Sequence, residues 1–212
     1  MKGDFSRDSY RPESRFSRVV MQQGRVQLDS DWNEQNSILI GTIRALTRDL
    51  FGPYAGPAAE CGFRIVTAEN RQGLPNEAQA EVEEALKADK GSLGDEDMLI
   101  LAGRYYVGGM PIALERAMRF RAQLGYPFGQ DQVSSLRQHN WLAYLDVWEE
   151  YVCADQDPYL REAALNGVDT CGRARIRWQV RLMVDPKNQD AAAALAATGT
   201  GRLKARANPT ED

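Results

Sequence analysis

The sequence predicts an α+β protein with a β-rich body, an extended N-terminal arm and one long amphipathic N-terminal helix. The first residues alternate charges with single aromatic side chains, a helical apolar pattern follows, and later segments alternate apolar and polar residues with the period of a strand. We divide the chain into 1–28, a docking arm and strand; 29–52, an amphipathic heptad-bearing helix; 53–184, a β-rich α+β body; and 185–212, an Ala/Gly-rich tail or linker.

The composition limits the classes of protein to which the chain can belong. Its 212 residues, 43% of them hydrophobic, suffice for one large domain or two small ones. A balance of 26 basic against 30 acidic side chains gives no indication of a nucleic-acid partner. Three widely spaced cysteines without a C-x-x-C pair argue against a disulfide framework or zinc site and favour a reducing compartment. Neither a signal peptide nor a membrane span is expected, because the N-terminus and the rest of the chain lack the long apolar runs that these require.

The N-terminal arm is too polar for a core strand and too aromatic for a disordered tail. Such a segment is predicted to dock, either on its own domain or on a neighbouring subunit. A strand-like run at 25–28 precedes the helix. The arm residues expected to take part in assembly are Phe5, Arg7, Tyr10, Arg15, Phe16 and Arg18.

A helix is predicted over about 30–51. Asp31 and Glu34 fit a capping box at its start, with Asp29 and Ser30 as alternative caps, and acidic side chains there also suit the helix dipole. Gly52 and Pro53 are expected to end it.

Apolar residues along this helix form a heptad seam with steps of three and four and one asparagine at an a position. Two interpretations remain open. The seam packs on the protein's own sheet, as the additional apolar residues Ile38 and Ile40 favour, or it associates in parallel with other copies, with Asn36 setting register and copy number. Three heptads alone would make a marginal coiled coil. The seam residues are Trp32, Asn36, Leu39, Ile43, Leu46 and Leu50.

The body is predicted to consist mostly of strands with one acidic helix at 77–89. Strands are expected at 63–67, in a meander at 98–102, 104–107 and 110–114, and at 141–152 and 173–183. A short capped helix is expected to begin at Asp157 and Pro158, and no structure is assigned to 119–139.

Four arginines share one face of the last predicted strand, a row that could grip phosphates. We expect acids of the neighbouring strand to neutralise this row through cross-strand pairs. The arginines are Arg173, Arg175, Arg177 and Arg181, and the acids are Asp146, Glu149 and Glu150.

No constellation of residues points to catalysis. The lone histidine, His139, has no nucleophile or further ligand at a recognisable spacing, and the segment GRYYVGG lacks the G-x-G-x-x-G pattern of a dinucleotide site. Two groups of carboxylates could bind calcium or act as an acid–base pair, although neither has a known loop spacing. They are Asp29, Asp31 and Glu34, and Asp95, Glu96 and Asp97. We therefore predict a protein that is not an enzyme and has no catalytic, cofactor-binding or metal-binding residues.

Two long stretches carry a resemblance to a known family. They are MKGDFSRDSYRPESRFSRVVMQQGRVQLDSDWNEQ and LAYLDVWEEYVCADQDPYLREAALNGVDTCGRARIRWQVRL. Both closely resemble the bacterial family DUF6519, and AGRYYVGG also resembles a segment of that family, although Gly108 stands where aspartate is usual. The block SRVVMQQGRVQLDSDWNEQ is similar to the start of baseplate-proximal and fibre proteins of contractile phage tails.

The resemblance implies a non-enzymatic structural component of a phage-tail-like contractile injection system, as a baseplate-associated or fibre-attachment module. The expected partners are other copies of the chain, a trimer being one arrangement, and baseplate or fibre proteins, with envelope or surface contact open and without nucleic acid or a membrane span. We expect synthesis in the bacterial cytoplasm and incorporation into a particle that is cytoplasmic, membrane-anchored or released. The chain could be a module-only form or the N-terminal piece of a longer protein.

Two alternatives have a different basis. The first is a carbohydrate- or envelope-binding module that presents the meander at 104–114 with Tyr105, Tyr106 and Tyr126. The second is a carboxylate-dependent hydrolase.

Overall fold

The structure, a computed structural model, describes residues 6–59, 61–88, 91–94, 97–125, 141–184 and 204–206. It contains helices and strands in small sheets and is therefore α+β. The helices are α1 (Asp29–Phe51) and α2 (Asn76–Ala88). The strands are β1 (Tyr54–Ala55), β2 (Ile65–Val66), β3 (Leu99–Ile100), β4 (Gly103–Val107), β5 (Met110–Leu114), β6 (Met118–Arg119), β7 (Trp141–Val152), β8 (Arg161–Glu162), β9 (Val168–Asp169), β10 (Arg173–Val184) and β11 (Lys204–Arg206).

The chain forms two compact units. The first unit comprises Met1–Gly52 and Glu149–Arg177, and the second comprises Pro53–Trp148 and Trp178–Asp212. Each unit is therefore built from two separate segments of the chain, whereas the predicted division placed all of 53–184 in one body.

Helix α1 is the main element of the first unit. Its N-cap is Leu28 and none of the predicted caps Asp29, Ser30 and Asp31, because the helix begins at Asp29, about one residue before the predicted start. Asp31 instead lies in the first turn, where its carboxylate accepts a hydrogen bond of 3.2 Å from the backbone N–H of Leu28. At the other end, Gly52 adopts a positive φ of 86° and its N–H donates to the carbonyl of Arg48 at 2.9 Å.

The predicted strand at 25–28 is wrong. Within described residues 6–28 the only regular element is a 3₁₀ turn at Pro12–Ser14. Val26 is 85% exposed, and a strand requires a neighbouring backbone to complete its hydrogen-bond ladder. Two apolar residues in a run of four were too short a pattern to distinguish an extended segment from a paired strand.

The predicted helix at Asp157 is also wrong. Two 3₁₀ turns, Pro158–Leu160 and Ala163–Leu165, flank β8, which pairs with β9 in an antiparallel hairpin. Asn166 has a left-handed φ of 60°, and the N–H of Gly167 donates to the carbonyl of Glu162 at 2.9 Å. This local turn chemistry outweighs the helix propensity of the alanines.

The second unit holds most of the buried apolar residues. Two of its sheets have the orders β1-β4-β5 and β2-β3-β6. The predicted three-stranded meander is therefore wrong in one strand, because β4 and β5 form a hairpin while β3 lies in the other sheet. Helix α2 packs through Val82 on a cluster that includes Val66 and Leu99. The acidic side chains of α2 do not all face solvent, because the Glu81 carboxylate accepts a hydrogen bond from the backbone N–H of Ala102 at 2.6 Å.

Gly62 marks a close approach of two backbone segments in the second unit. A Cβ at this position would lie 2.5 Å from the carbonyl carbon of Gly103. The following residue, Phe63, is fully buried at a positive φ of 64° and makes an edge-to-face contact with Trp178 at 4.8 Å between ring centroids. The absence of a side chain at Gly62 therefore permits this part of the core to close.

The two long strands β7 and β10 lie where their alternation predicts. They belong to a sheet of order β10-β7-β11. The backbone of β11 pairs antiparallel with β7, so residues 204–206 form a strand within the segment that we predicted to be a tail or linker.

Candidate assembly interface

The apolar seam of α1 is exposed to solvent. Its five apolar side chains are between 50% and 66% exposed, and Asn36 is exposed as well. One N–H of the Asn36 amide donates to the carbonyl of Trp32 at 2.9 Å. The exposed residues are the predicted set Trp32, Asn36, Leu39, Ile43, Leu46 and Leu50. A continuous apolar face on a helix is rarely left in water unless it contacts another molecule.

The opposite side of α1 is attached to its own unit. Ile38 is buried, and the guanidinium of Arg44 donates to both carboxylate oxygens of Glu149 at 2.7 and 3.1 Å. Of the two additional apolar residues that favoured an internal seam, only Ile38 is buried, because Ile40 is 46% exposed. These attachments fix which side of the helix faces outward.

The N-terminal arm contacts α1 at several positions. The Ser6 hydroxyl donates to the Asp29 carboxylate, and the ring of Tyr10 covers Gly41, where a Cβ would lie 3.0 Å from its Cζ atom. Further along, the N–H of Val19 donates to the side-chain carbonyl of Gln35 at 2.9 Å. The arm therefore docks on its own helix, the first of the two predicted alternatives.

Two further side-chain contacts fasten the arm. The hydroxyl of Ser9 donates to the Glu34 carboxylate, and that of Ser37 donates to the Asp8 carboxylate. Among the six predicted arm residues, Tyr10 is the one with a recorded contact to α1, and Phe5 lies outside the described residues. The other four are exposed: Arg7, Arg15, Phe16 and Arg18.

The first unit has little core of its own. Its buried residues in the described part of the chain are Ser30, Ile38, Val152 and Ala154. Fifteen of the eighteen large apolar side chains that are exposed in the described residues belong to this unit. A unit that leaves so much apolar surface in water gains stability from any partner that covers it.

A cleft of about 650 Å³ lies within the first unit between the arm, α1 and the start of β10. Cys171 is exposed in its lining, and the guanidinium of Arg173 donates to its Sγ atom at 2.9 Å. This hydrogen bond, with a smaller contribution from Thr170, lowers the pKa of the Cys171 thiol. We did not predict this pair from the sequence.

The predicted row of arginines is divided among several partners. Arg177 donates to Glu150 in the first unit, at 2.6 Å, and Arg181 pairs with Asp146 in the second, at 3.2 Å, so two of the predicted cross-strand pairs are confirmed. Glu149 is a correction, because its partner is Arg44. The remaining two arginines do not pair with β7: Arg175 donates to Asp157, and Arg173 contacts Cys171.

The carboxylates considered for calcium or acid–base chemistry have individual partners. The hydroxyl of Ser6 lowers the pKa of Asp29. Asp97 accepts from the guanidinium of Arg119 at 3.0 Å, while Asp95 and Glu96 lie outside the described residues, as does His139. In the described part of the chain, no three histidine, cysteine, aspartate or glutamate side chains come together as a metal site.

The two tyrosines of the alternative binding surface that lie in the described residues are not both exposed. Tyr105 is buried, which raises its pKa, Tyr106 is half-buried, and Tyr126 lies outside the described residues. None of the helices described here is long and apolar enough to cross a membrane.

Comparison with known proteins identifies the family of the chain. No curated protein and no solved structure matches the chain. The model of one family matches residues 1–212, and the chain therefore belongs to DUF6519, a family of unknown function.

Proposed function

We propose that the chain is a non-enzymatic structural component of a phage-tail-like contractile injection particle, in which it serves as a baseplate-associated or fibre-attachment module. In this role the N-terminal arm and the long amphipathic helix form the attachment end, and the helix joins other copies of the chain. The observation that supports the proposal most is the exposed apolar seam of α1.

The size of the seam indicates how strongly it would associate. Complete burial of a leucine or isoleucine side chain contributes about 1.5–3 kcal/mol, so covering the exposed half of one contributes about 1 kcal/mol. Four aliphatic seam residues would contribute about 4 kcal/mol per copy, and Trp32 would add to this. The entropic cost of association is about 4–15 kcal/mol. Isolated copies should therefore associate weakly, and the other contacts in a particle would complete the assembly.

The arm and α1 are suited to attachment because they are fixed to each other. The hydrogen bonds from Ser6 and Ser9 to the helix and the packing of Tyr10 on Gly41 hold the arm in place. The seam is consequently presented in one orientation before any partner arrives, which reduces the entropy lost on binding. The contractile particle with baseplate or fibre partners is proposed because the segment SRVVMQQGRVQLDSDWNEQ resembles the start of baseplate-proximal and fibre proteins of contractile phage tails.

Purification of particles from the native bacterium tests this function. The chain should co-purify with sheath, tube and baseplate proteins, and the variant Leu39→Asp/Ile43→Asp should be lost from the particle. The matched control is Leu165→Asp/Val168→Asp, which places the same charges on exposed apolar residues of the same unit away from the seam. A genome without sheath and tube genes, or particles that never contain the chain, would refute the proposal.

A further inference from the structure

We propose that the occupant of the α1 seam is the same helix of a second copy of this chain, aligned in parallel and in register. The two helices form a two-stranded coiled coil in which Asn36 of one copy faces Asn36 of the other. This inference rests on the proposed function only in taking the seam to be an interface, and it specifies the partner, the orientation and the copy number.

The heptad positions favour two strands. With Asn36 at position a, the remaining a positions of α1 hold Asp29 at its first residue, then Ile43 and Leu50, and the d positions hold Trp32, Leu39 and Leu46. Isoleucine at a with leucine at d favours two-stranded coiled coils, and a single asparagine at a selects register and copy number. Of the residues that attach α1 to its own unit, Ile38, Gly41 and Arg44 occupy positions c, f and b on the other side. The arm also contacts Asp29 at position a and Gln35 at position g, at the edges of the seam.

The amide of Asn36 favours the parallel orientation. One of its N–H groups donates to the carbonyl of Trp32 within the same helix, which leaves the second N–H and the side-chain carbonyl to be satisfied. In a parallel pair, the two Asn36 amides bond each other across the seam. In an antiparallel pair centred on Gly41, Asn36 would face Leu46, and its polar atoms would be buried against a hydrocarbon side chain.

The flanks of the seam favour a second copy over a charged partner. Positions e and g next to the seam are uncharged except for Asp49, and include Gln35, Thr42 and Thr47. Copies of one chain carry identical charges, and flanking charges of one sign would repel each other in a parallel pair. Asp49 at position g would face position e of the next heptad, residue 54, which lies beyond the end of α1 at Phe51. From Trp32 to Leu50 the parallel pair therefore meets no charge repulsion, and its like-charge contact is between the two Asp29 carboxylates at the first residue of α1, ahead of the seam.

Disulfide trapping of the full chain tests the orientation. In a background with Cys61→Ser, Cys153→Ser and Cys171→Ser, a cysteine introduced by Leu50→Cys lies opposite its counterpart only in the parallel pair. In the antiparallel pair it lies near residue 32, and the two introduced cysteines are about 27 Å apart, from the helical rise of about 1.5 Å per residue. The background with Leu165→Cys, an apolar site outside the seam that is 55% exposed against 66% for Leu50, measures trapping by random collision.

The expected result is efficient disulfide formation by Leu50→Cys, well above the Leu165→Cys control, with the mass of two chains in sedimentation. Disulfides that form only when Trp32→Cys and Leu50→Cys proteins are mixed would show an antiparallel pair. An antiparallel pair, or a mass of three chains, would overturn the inference of a parallel two-stranded coiled coil. Either result would still support the seam as an interface between copies of the chain. A monomer at every concentration, with no trapping above the control, would overturn both the inference and self-association through the seam.

Discussion

The double substitution Leu39→Asp/Ile43→Asp separates the assembly role of α1 from its role in folding. The two side chains are 50% and 60% exposed in the single chain. Covering the exposed part of each contributes about 1 kcal/mol, so a pair of helices would lose about 4 kcal/mol in total, which corresponds to a roughly thousandfold weaker dimer. Four carboxylates in an apolar seam would weaken the dimer further.

The same substitution should leave the fold intact. Because both side chains are exposed in the chain itself, the cost to folding is restricted to helix propensity, about 1 kcal/mol for the two positions together. Light scattering after size exclusion should give a monomer, while circular dichroism shows a cooperative unfolding transition close to that of the unaltered chain. Self-association that persists in the variant, or is lost equally in Leu165→Asp/Val168→Asp, would refute the reasoning.

Three further predictions concern packing, pH and reactivity. Gly62→Ala should lower the free energy of unfolding by several kcal/mol, because its Cβ has no room beside the opposing backbone. Ser6→Ala should raise the pKa of Asp29, which NMR titration of the carboxyl carbon measures. Because the pKa of Asp29 is lower in the folded protein than in the unfolded chain, the hydrogen bond stabilises the fold above the unfolded pKa, and this stabilisation is lost as the pH falls through the folded pKa. Arg173→Ala should raise the pKa of Cys171 and slow alkylation of its thiol at neutral pH.

Each of these predictions has its own control. The control for Gly62→Ala is Gly73→Ala, because no atom lies within 4 Å of the position where the Cβ of residue 73 would be. Equal losses of stability in both variants would contradict the account. For the titration, Ser17→Ala alters an exposed arm serine without a bond to Asp29, and an unchanged pKa after Ser6→Ala would be the contrary result. For the thiol, the alkylation rate of Cys61 serves as the internal reference, and unchanged alkylation of Cys171 would contradict the role of Arg173.

The parts of the fold that could be predicted are those that long periodic patterns determine. Strands β7 and β10 alternate over twelve residues each, so their pattern was sufficient without knowledge of their neighbours. The segment at 157–165 was misassigned because a helix-like composition there is overridden by a left-handed residue, Asn166, and a closing hydrogen bond at Gly167. At 25–28 the apolar pattern was too short to predict a strand. A strand also needs a neighbouring strand to pair with, and a short stretch of sequence does not show whether one is present.

The candidate interface shows the same division between local pattern and tertiary context. The spacing of the seam could be predicted from the sequence, but its exposure to solvent could not. Ile38 and Ile40 belong to the same apolar run, and the sequence does not distinguish Ile38, which is buried, from Ile40, which is exposed. Which side of α1 is covered depends on residues far away in the chain, such as Glu149, which holds Arg44. The contact between Cys171 and Arg173 was missed for a different reason, since a spacing of two residues in a polar segment has many unremarkable explanations.

Sedimentation of the unaltered full chain over a wide range of concentration tests the central claim most directly. If the exposed seam of α1 is an assembly surface, the mass should rise with concentration from one chain to two. The rise should disappear in Leu39→Asp/Ile43→Asp and persist in Leu165→Asp/Val168→Asp. The mass of one chain at every concentration would contradict the account.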